Sequence, residues 1–384
     1  MNENAEANVE LIPSGGAYFC MLGKLIDGAT HTIHLQVYIF SNDETGKVII
    51  EKLCLAAARG IKIYLVVDGY ASADFDKELM KKLFSQGIYV KRFSPIHVLR
   101  LKIGRRLHHK IIVVDNIRAM VGGINIADKY NKVNEDEPWL DNVIYVTGPV
   151  VNEINNFCLK YLPNTIRKKL SANQKPNVQS INTTNIKLIQ NDWWRKKTEI
   201  STAYNRIFRE SKKEITIVAS YFFPGFVKRR LLLNAANRGV RITIITAAYS
   251  DVWIMKPAIK YLYGLLLRNN IQIYEWNRSI LHSKIAVADD NWSTIGSYNL
   301  NALSDYGSTE ANIEVLDENF YKICKRFIDD IILKGSNAIT PNEYFSIKSR
   351  LLQPYRWFCY HVIRIIFRIL FWIMRWTKSS NTNG

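Results

Sequence analysis

A pattern of His, Lys, Asp, Gly and Asn occurs twice in this chain at one spacing. A repeat of that kind constrains the fold more than any other feature, because each copy must form the same supersecondary unit. The first copy is Leu107-His108-His109-Lys110, four apolar residues, Asp115, then after six more Gly122-Gly123-Ile124-Asn125. The second is Leu281-His282-Ser283-Lys284, four apolar residues, Asp289, then after six more Gly296-Ser297-Tyr298-Asn299. The flanks repeat as well. Ile33 to Phe40 (IHLQVYIF) and Ile215 to Phe223 (ITIVASYFF) both read as buried strands. Each is followed by a helical stretch that ends at an Arg-Gly step, Arg59-Gly60 and Arg238-Gly239, where Gly supplies a left-handed helix terminus. Strands resume at Tyr64 to Val67 and Thr243 to Thr246.

Strand and helix alternating in this way predict an α/β fold of two similar lobes, each with a mixed, mostly parallel sheet flanked by helices, related by a pseudo-two-fold axis. A chain of 384 residues has room for two such bodies. The expected division is a first lobe over 1–160, a connecting segment over 161–198 rich in Lys, Asn, Ser and Gln, a second lobe over 199–340, and a basic, aromatic tail over 341–384.

Within each motif, His and Lys lie two residues apart on an extended segment and so project from the same face. The Gly-Gly and Gly-Ser turns let the backbone pass close to a ligand, and Asn125 and Asn299 each offer an uncharged donor to a phosphate oxygen. Brought together across the axis, two imidazoles can flank one phosphorus while Lys110 and Lys284 hold its non-bridging oxygens. One neutral His attacks, and the other, protonated, gives its proton to the leaving alkoxide. Two lysines supply the charge that a metal pair supplies in other phosphoryl-transfer sites, so neither a metal nor any other cofactor is implied.

These paired motifs resemble the HKD motifs of the phospholipase D superfamily, and the resemblance spans roughly Ala17 to Val315. Gly122 to Tyr130 running on to Pro138-Trp139-Leu140-Asp141, and Tyr274-Glu275-Trp276 leading into the second motif, are similar to bacterial cardiolipin synthases in particular. The resemblance implies a catalytic set of His108, Lys110, Asp115, His282, Lys284 and Asp289, with His108 as nucleophile and His282 as general acid. It further implies that Asp141 and Glu310 orient the histidines. Asp115 and Asp289 read as structural partners within the motifs rather than proton carriers. After the second Asn, cardiolipin synthases often carry Asp-x-Arg-Ser, whereas this chain has Asn301-Ala302-Leu303-Ser304.

The net charge of +18 predicts an anionic partner. After Glu343 there is no acidic residue, and from Trp357 to Trp376 the chain is almost wholly apolar and aromatic. At helical spacing His361, Arg364, Arg368 and Arg375 form one narrow stripe, which predicts an amphipathic helix lying in a membrane interface. Each Arg carried to the centre of a bilayer would cost about 2.5–3.5 kcal/mol, which disfavours a spanning helix. Five dispersed cysteines and a polar, acidic start at Met1 predict a body in a reducing compartment, expected at the cytoplasmic face of the cell membrane.

The expected function is phosphatidyl transfer of cardiolipin synthase type, from two phosphatidylglycerol molecules to cardiolipin and glycerol, through a phosphohistidine. Hydrolysis of a phospholipid or of a nucleic acid by the same His pair is the alternative. The apolar tail favours anionic phospholipid and a membrane surface as partners over nucleic acid.

Overall fold

The structure, a computed structural model, describes residues 8–13, 15–94, 105–131, 137–172 and 185–380. The centre of the polar connection around Pro176 and the side chain of Arg375 lie outside the described residues.

The first lobe runs β1 (Val9–Pro13), α1 (Gly16–Asp27), β2 (Thr32–Val37), α2 (Glu44–Ala58), β3 (Lys62–Asp68), α3 (Lys77–Ser85), β4 (Ile88–Phe93), β5 (Arg106–Leu107), β6 (Lys110–Val114), β7 (Arg118–Gly122), β8 (Asn142–Thr147), α4 (Val150–Leu159) and α5 (Asn164–Ala172). The second runs β9 (Ile186–Asp192), β10 (Lys197–Thr198), α6 (Glu199–Glu210), β11 (Glu214–Ala219), α7 (Phe226–Asn237), β12 (Arg241–Ala247), α8 (Met255–Arg268), β13 (Gln272–Trp276), β14 (Lys284–Ala288), β15 (Trp292–Gly296), α9 (Ala302–Tyr306), β16 (Ser308–Leu316) and α10 (Glu318–Gly335). The chain continues through β17 (Ser336–Ala338), α11 (Pro341–Tyr344), α12 (Ile347–Leu351) and α13 (Gln353–Ser380).

The two sheets share one strand order. In the first it is β1-β8-β7-β6-β2-β3-β4, and in the second β9-β16-β15-β14-β11-β12-β13, with β10 and β17 added at the edges. The duplication therefore extends from the motif to the whole lobe. The helix ends also match, since Gly60 and Gly239 have φ of 88° and 87°, the left-handed geometry that glycine adopts without strain.

The balance of strand directions differs from the expectation of mostly parallel sheets. Only β2-β3-β4 and β11-β12-β13, the strands joined by crossover helices, are parallel within each repeated order, and the remaining neighbours in it are antiparallel. The cause is local. Both motif strands, β6 and β14, turn back at once into β7 and β15, and a short hairpin connection can only be antiparallel. The second sheet also begins earlier than 199, because β9 pairs with β16 as β1 pairs with β8.

Side chains alternate along the motif strands and feed two layers. Ile111 and Val113 of β6 meet Ile285 and Val287 of β14 in a core shared by both lobes. Ile112 and Val114 face a first-lobe core under α1 and α2, whereas Ala286 and Ala288 face a second-lobe core under α6, α7 and α8. The segment beyond 340 is not a detached tail. Cys359, Tyr360 and Ile363 of α13 are buried in that second-lobe core, and only the opposite face of the helix is open. No helix among the described residues is long and apolar enough to cross a membrane.

Candidate active site

Each motif histidine is held by the other lobe. Leu107 of β5 pairs with Thr309 of β16, and both His108 and His109 donate their backbone N–H to the Thr309 carbonyl, at 3.1 and 3.0 Å. The second lobe repeats this, with Leu281 bridged to Leu140 while His282 and Ser283 donate to the Leu140 carbonyl at 2.7 and 2.9 Å. The residue after each of these carbonyls is an acid. Glu310 thus comes to lie 2.9 Å from Nδ1 of His108, and Asp141 2.6 Å from Nδ1 of His282. Both carboxylates are fully buried. The two imidazoles line one cavity of ≈ 350 Å³, together with Asn125, Asn299 and Glu310.

The lysines stand beside the histidines. Nζ of Lys110 donates to the carbonyl of His108, and Nζ of Lys284 to that of His282. Burial and their mutual repulsion push Lys110 down to about 7, and burial pushes Lys284 down to about 8. Burial also lowers His108, against the pull of Glu310, and lowers His282 further with the help of Lys284 and Lys110. The site is therefore a dry place where neutral imidazoles and readily discharged lysines await an anion.

The two carboxylates differ. Burial raises Asp141 to about 7 in spite of Lys284. For Glu310 burial acts in the same direction, but His108, Lys110 and the Ser297 hydroxyl outweigh it and hold the carboxyl below its ordinary value. Ser297 donates to Oε2 of Glu310 at 2.5 Å and Ser308 to Oε1 at 2.7 Å. In the first lobe the place of Ser297 is taken by Gly123, where a Cβ would stand 2.4 Å from both oxygens of Asp141.

Asn125 accepts from the backbone N–H of Ile39 at 3.0 Å and donates to the Tyr130 hydroxyl at 2.8 Å. Asn299 accepts from the Ser220 hydroxyl at 2.9 Å, which leaves its amide nitrogen to serve the cavity. Asp115 and Asp289 are elsewhere. They cap the far ends of β6 and β14, where Asp115 accepts from the backbone of Thr30, His31 and Thr32, and Asp289 from that of Lys212, Lys213 and Glu214. A five-residue strand is about 16 Å long, so neither Asp reaches the histidines, and their place in the catalytic set is corrected to a fold-holding one. His109 is likewise structural, with its ring between Thr309 and Gln36.

Several cavity residues carried no signal in the sequence. Tyr38 packs edge-on to His108 with ring centres 4.9 Å apart and lies 5.0 Å from Nζ of Lys110. Tyr130 and Trp139 wall His282. Asp251 binds the Tyr221 hydroxyl at the rim, and Phe367 of α13 closes one side. Tyr130 and Trp139 stand within the stretch that carries the resemblance, but the others follow strands or lie on a distant helix, and only folding brings them in.

Residues 22–155 and 204–332 match a family model described as cardiolipin synthase, PLD-like domain. Cardiolipin synthase B of Escherichia coli O6:H1 is 31% identical over 335 residues, covering 84% of this chain and 80% of that one. Cardiolipin synthase 2 of Staphylococcus epidermidis is 29% identical over 335 residues, covering 84% and 67%. Among solved structures, the phosphatidylserine synthase of Haemophilus influenzae Rd KW20 superposes with a TM-score of 0.74 at 15% identity over 95% of both chains, a likeness of fold.

Proposed function

The chain belongs to the cardiolipin synthase, phospholipase D-like family, and from that membership we propose that it joins two phosphatidylglycerol molecules into cardiolipin and glycerol through a phosphohistidine. The observation that carries the proposal is the pair of crossed His–carboxylate contacts opening on one cavity.

Ionised Glu310 accepts the Nδ1–H of His108, which leaves the Nε2 lone pair free to attack phosphorus. The P–N bond forms as the P–O bond to glycerol breaks, and His282 donates a proton to the departing oxygen. Asp141, raised to about 7, shares a proton with His282 and so supplies the charge state that a general acid needs. In the second half the hydroxyl of another phosphatidylglycerol gives its proton back to His282, attacks phosphorus and displaces His108. Lys110, Lys284 and the two Asn side chains hold the non-bridging oxygens, and the phosphate charge restores full protonation to the lysines. Hydrolysis is the same sequence with water as acceptor. The apolar wall of Val252, Met255, Leu303 and Phe367 supports a lipid acceptor over water or a nucleic acid.

The outer face of α13 supports action at a membrane. Phe358, Ile365, Ile369 and Trp372 are each 51–67% exposed and fall on one stripe, the geometry of a helix that can lie in a membrane interface. Purified protein given phosphatidylglycerol vesicles should yield cardiolipin and glycerol by mass spectrometry, and His108→Ala or His282→Ala should yield neither. Phosphatidic acid as the sole lipid product would instead establish the hydrolase.

A further inference from the structure

A second groove of ≈ 480 Å³ lies under α13, against the start of α7 and α9. Phe223, Tyr306 and Phe371 form its apolar surface, and Arg229, Arg364 and Arg368 line it too. None of its lining residues is acidic, and the same holds for a neighbouring groove of ≈ 700 Å³ that shares Arg229 and Arg364. The contrast with the preceding residue is informative. Lys228 is buried and neutralised by Asp305 at 2.8 Å, whereas Arg229 meets the Tyr360 hydroxyl, at 2.8 Å, and the Phe226 ring, and Arg364 the face of the Tyr360 ring. Guanidinium groups gathered over an apolar slot repel one another until an anion is supplied, and the slot itself favours hydrocarbon. An amphiphile with a phosphate and an acyl chain meets both demands.

The groove also adjoins the catalytic cavity. Leu303 and Phe367 line both it and the catalytic cavity. In phosphatidylglycerol only a three-carbon unit separates the lipid's own phosphate from the hydroxyl that would attack. An acceptor therefore needs a cationic seat beside the catalytic cavity rather than inside it. Resting on the transferase reading above, we infer that this groove is the seat of the acceptor phospholipid. Its phosphate lies against Arg229, Arg364 and Arg368, a chain runs over Phe223, Tyr306 and Phe371, and its terminal hydroxyl reaches phosphorus past Leu303 and Phe367.

The test uses the full chain in detergent-mixed micelles, so that adhesion to a surface is not limiting, with the mole fraction of phosphatidylglycerol varied and both lipid products measured. In Arg364→Gln/Arg368→Gln the mole fraction giving half-maximal cardiolipin formation should rise at least tenfold, and the ratio of cardiolipin to phosphatidic acid should fall at least tenfold. Ala302→Trp, which fills the groove without changing its charge, should shift the ratio in the same direction. Lys322→Gln/Lys334→Gln, which removes equal charge from exposed positions on α10, should match the wild type. Wild-type half-saturation and product ratio in both groove variants would overturn the inference. So would an equal fall of both products, which assigns the arginines to the donor, or the same shift in the α10 control, which assigns it to net charge. Wild-type protein that makes no cardiolipin at all would overturn the transferase reading and the acceptor seat with it.

Discussion

Replacing Glu310 by Gln keeps the size and shape of a fully buried side chain and removes only its charge. In the proposed mechanism the cost falls in the transition state, because the His108 ring would become cationic as Nε2 bonds phosphorus while its Nδ1–H faces Glu310 at 2.9 Å. Two unit charges at that distance attract by about 5–6 kcal/mol at an effective dielectric near 20. A neutral amide oxygen recovers a small part of this. The expected loss in kcat is therefore about 10³–10⁴-fold, at 1.36 kcal/mol per decade. Ser297 and Ser308 still find polar partners, since hydroxyls rotate to accept from the amide, so the thermal midpoint should stay within a few degrees. The assay is turnover of a short-chain soluble phosphodiester, together with phosphate retained on the protein that survives base and is lost in acid, as a phosphohistidine is. Trapped phosphate should fall with turnover. Glu310→Asp, which keeps the charge at a longer distance, should recover part of the rate. Glu310→Gln within tenfold of wild type, with an unaltered pH profile, would refute the assignment of Glu310 as the group that positions and charges His108.

The pH dependence follows from the lysines. With Lys110 pushed down to about 7 and Lys284 to about 8, the free enzyme loses positive charge as pH rises through that range, so kcat/KM should decline from about pH 7 upward. Bound phosphate raises both lysines, so kcat should hold to a higher pH. A kcat/KM that stays flat to pH 9.5 would contradict this. On the outer face of α13, Ile365 and Ile369 are about half exposed. Burying the exposed half of each in lipid is worth roughly 1 kcal/mol, so Ile365→Ser/Ile369→Ser should weaken vesicle sedimentation about thirtyfold, with turnover of a soluble diester unchanged. Undiminished sedimentation would place the membrane contact elsewhere.

The sequence made the two lobes, the His pair and the lysines legible because those residues repeat in register, and repetition survives translation into strands. It also pointed to Asp141 and Glu310, but not to the crossing, since nothing in a linear pattern says that β5 pairs with a strand of the other lobe. Asp115 and Asp289 repeat in register with the histidines yet stand at the far ends of β6 and β14, as the structural partners they read as in the sequence. Membership in a repeated motif marks a residue as needed without saying at which end of the strand the need lies. The tail reads as an interfacial helix because its composition matches one on a single face. Burial of Cys359, Tyr360 and Ile363 ties the other face to the second lobe, at about 1.5–3 kcal/mol for a large apolar side chain. Deletion from Gln353 onward would strip the second core and open the Phe367 wall of the cavity, and so would disturb far more than membrane residence.

The crossing also limits how the two halves can diverge. A carboxylate from one lobe sets the charge of a histidine from the other, so a change in either acid alters a partner roughly half the chain away. The short Asp141 fits over Gly123, which has no side chain and no room for one, whereas the longer Glu310 is met by the hydroxyl of Ser297 at the equivalent position. The Gly/Ser difference between the motifs is thus coupled sterically to the Asp/Glu difference. His108, Lys110 and the Ser297 hydroxyl hold Glu310 below its ordinary value, which in the proposed mechanism suits it to a histidine that must become cationic, while burial holds Asp141 up at about 7 and suits its histidine to proton transfer. Two motifs of the same spacing can in this way take the different roles proposed for them, nucleophile and acid, without moving either imidazole.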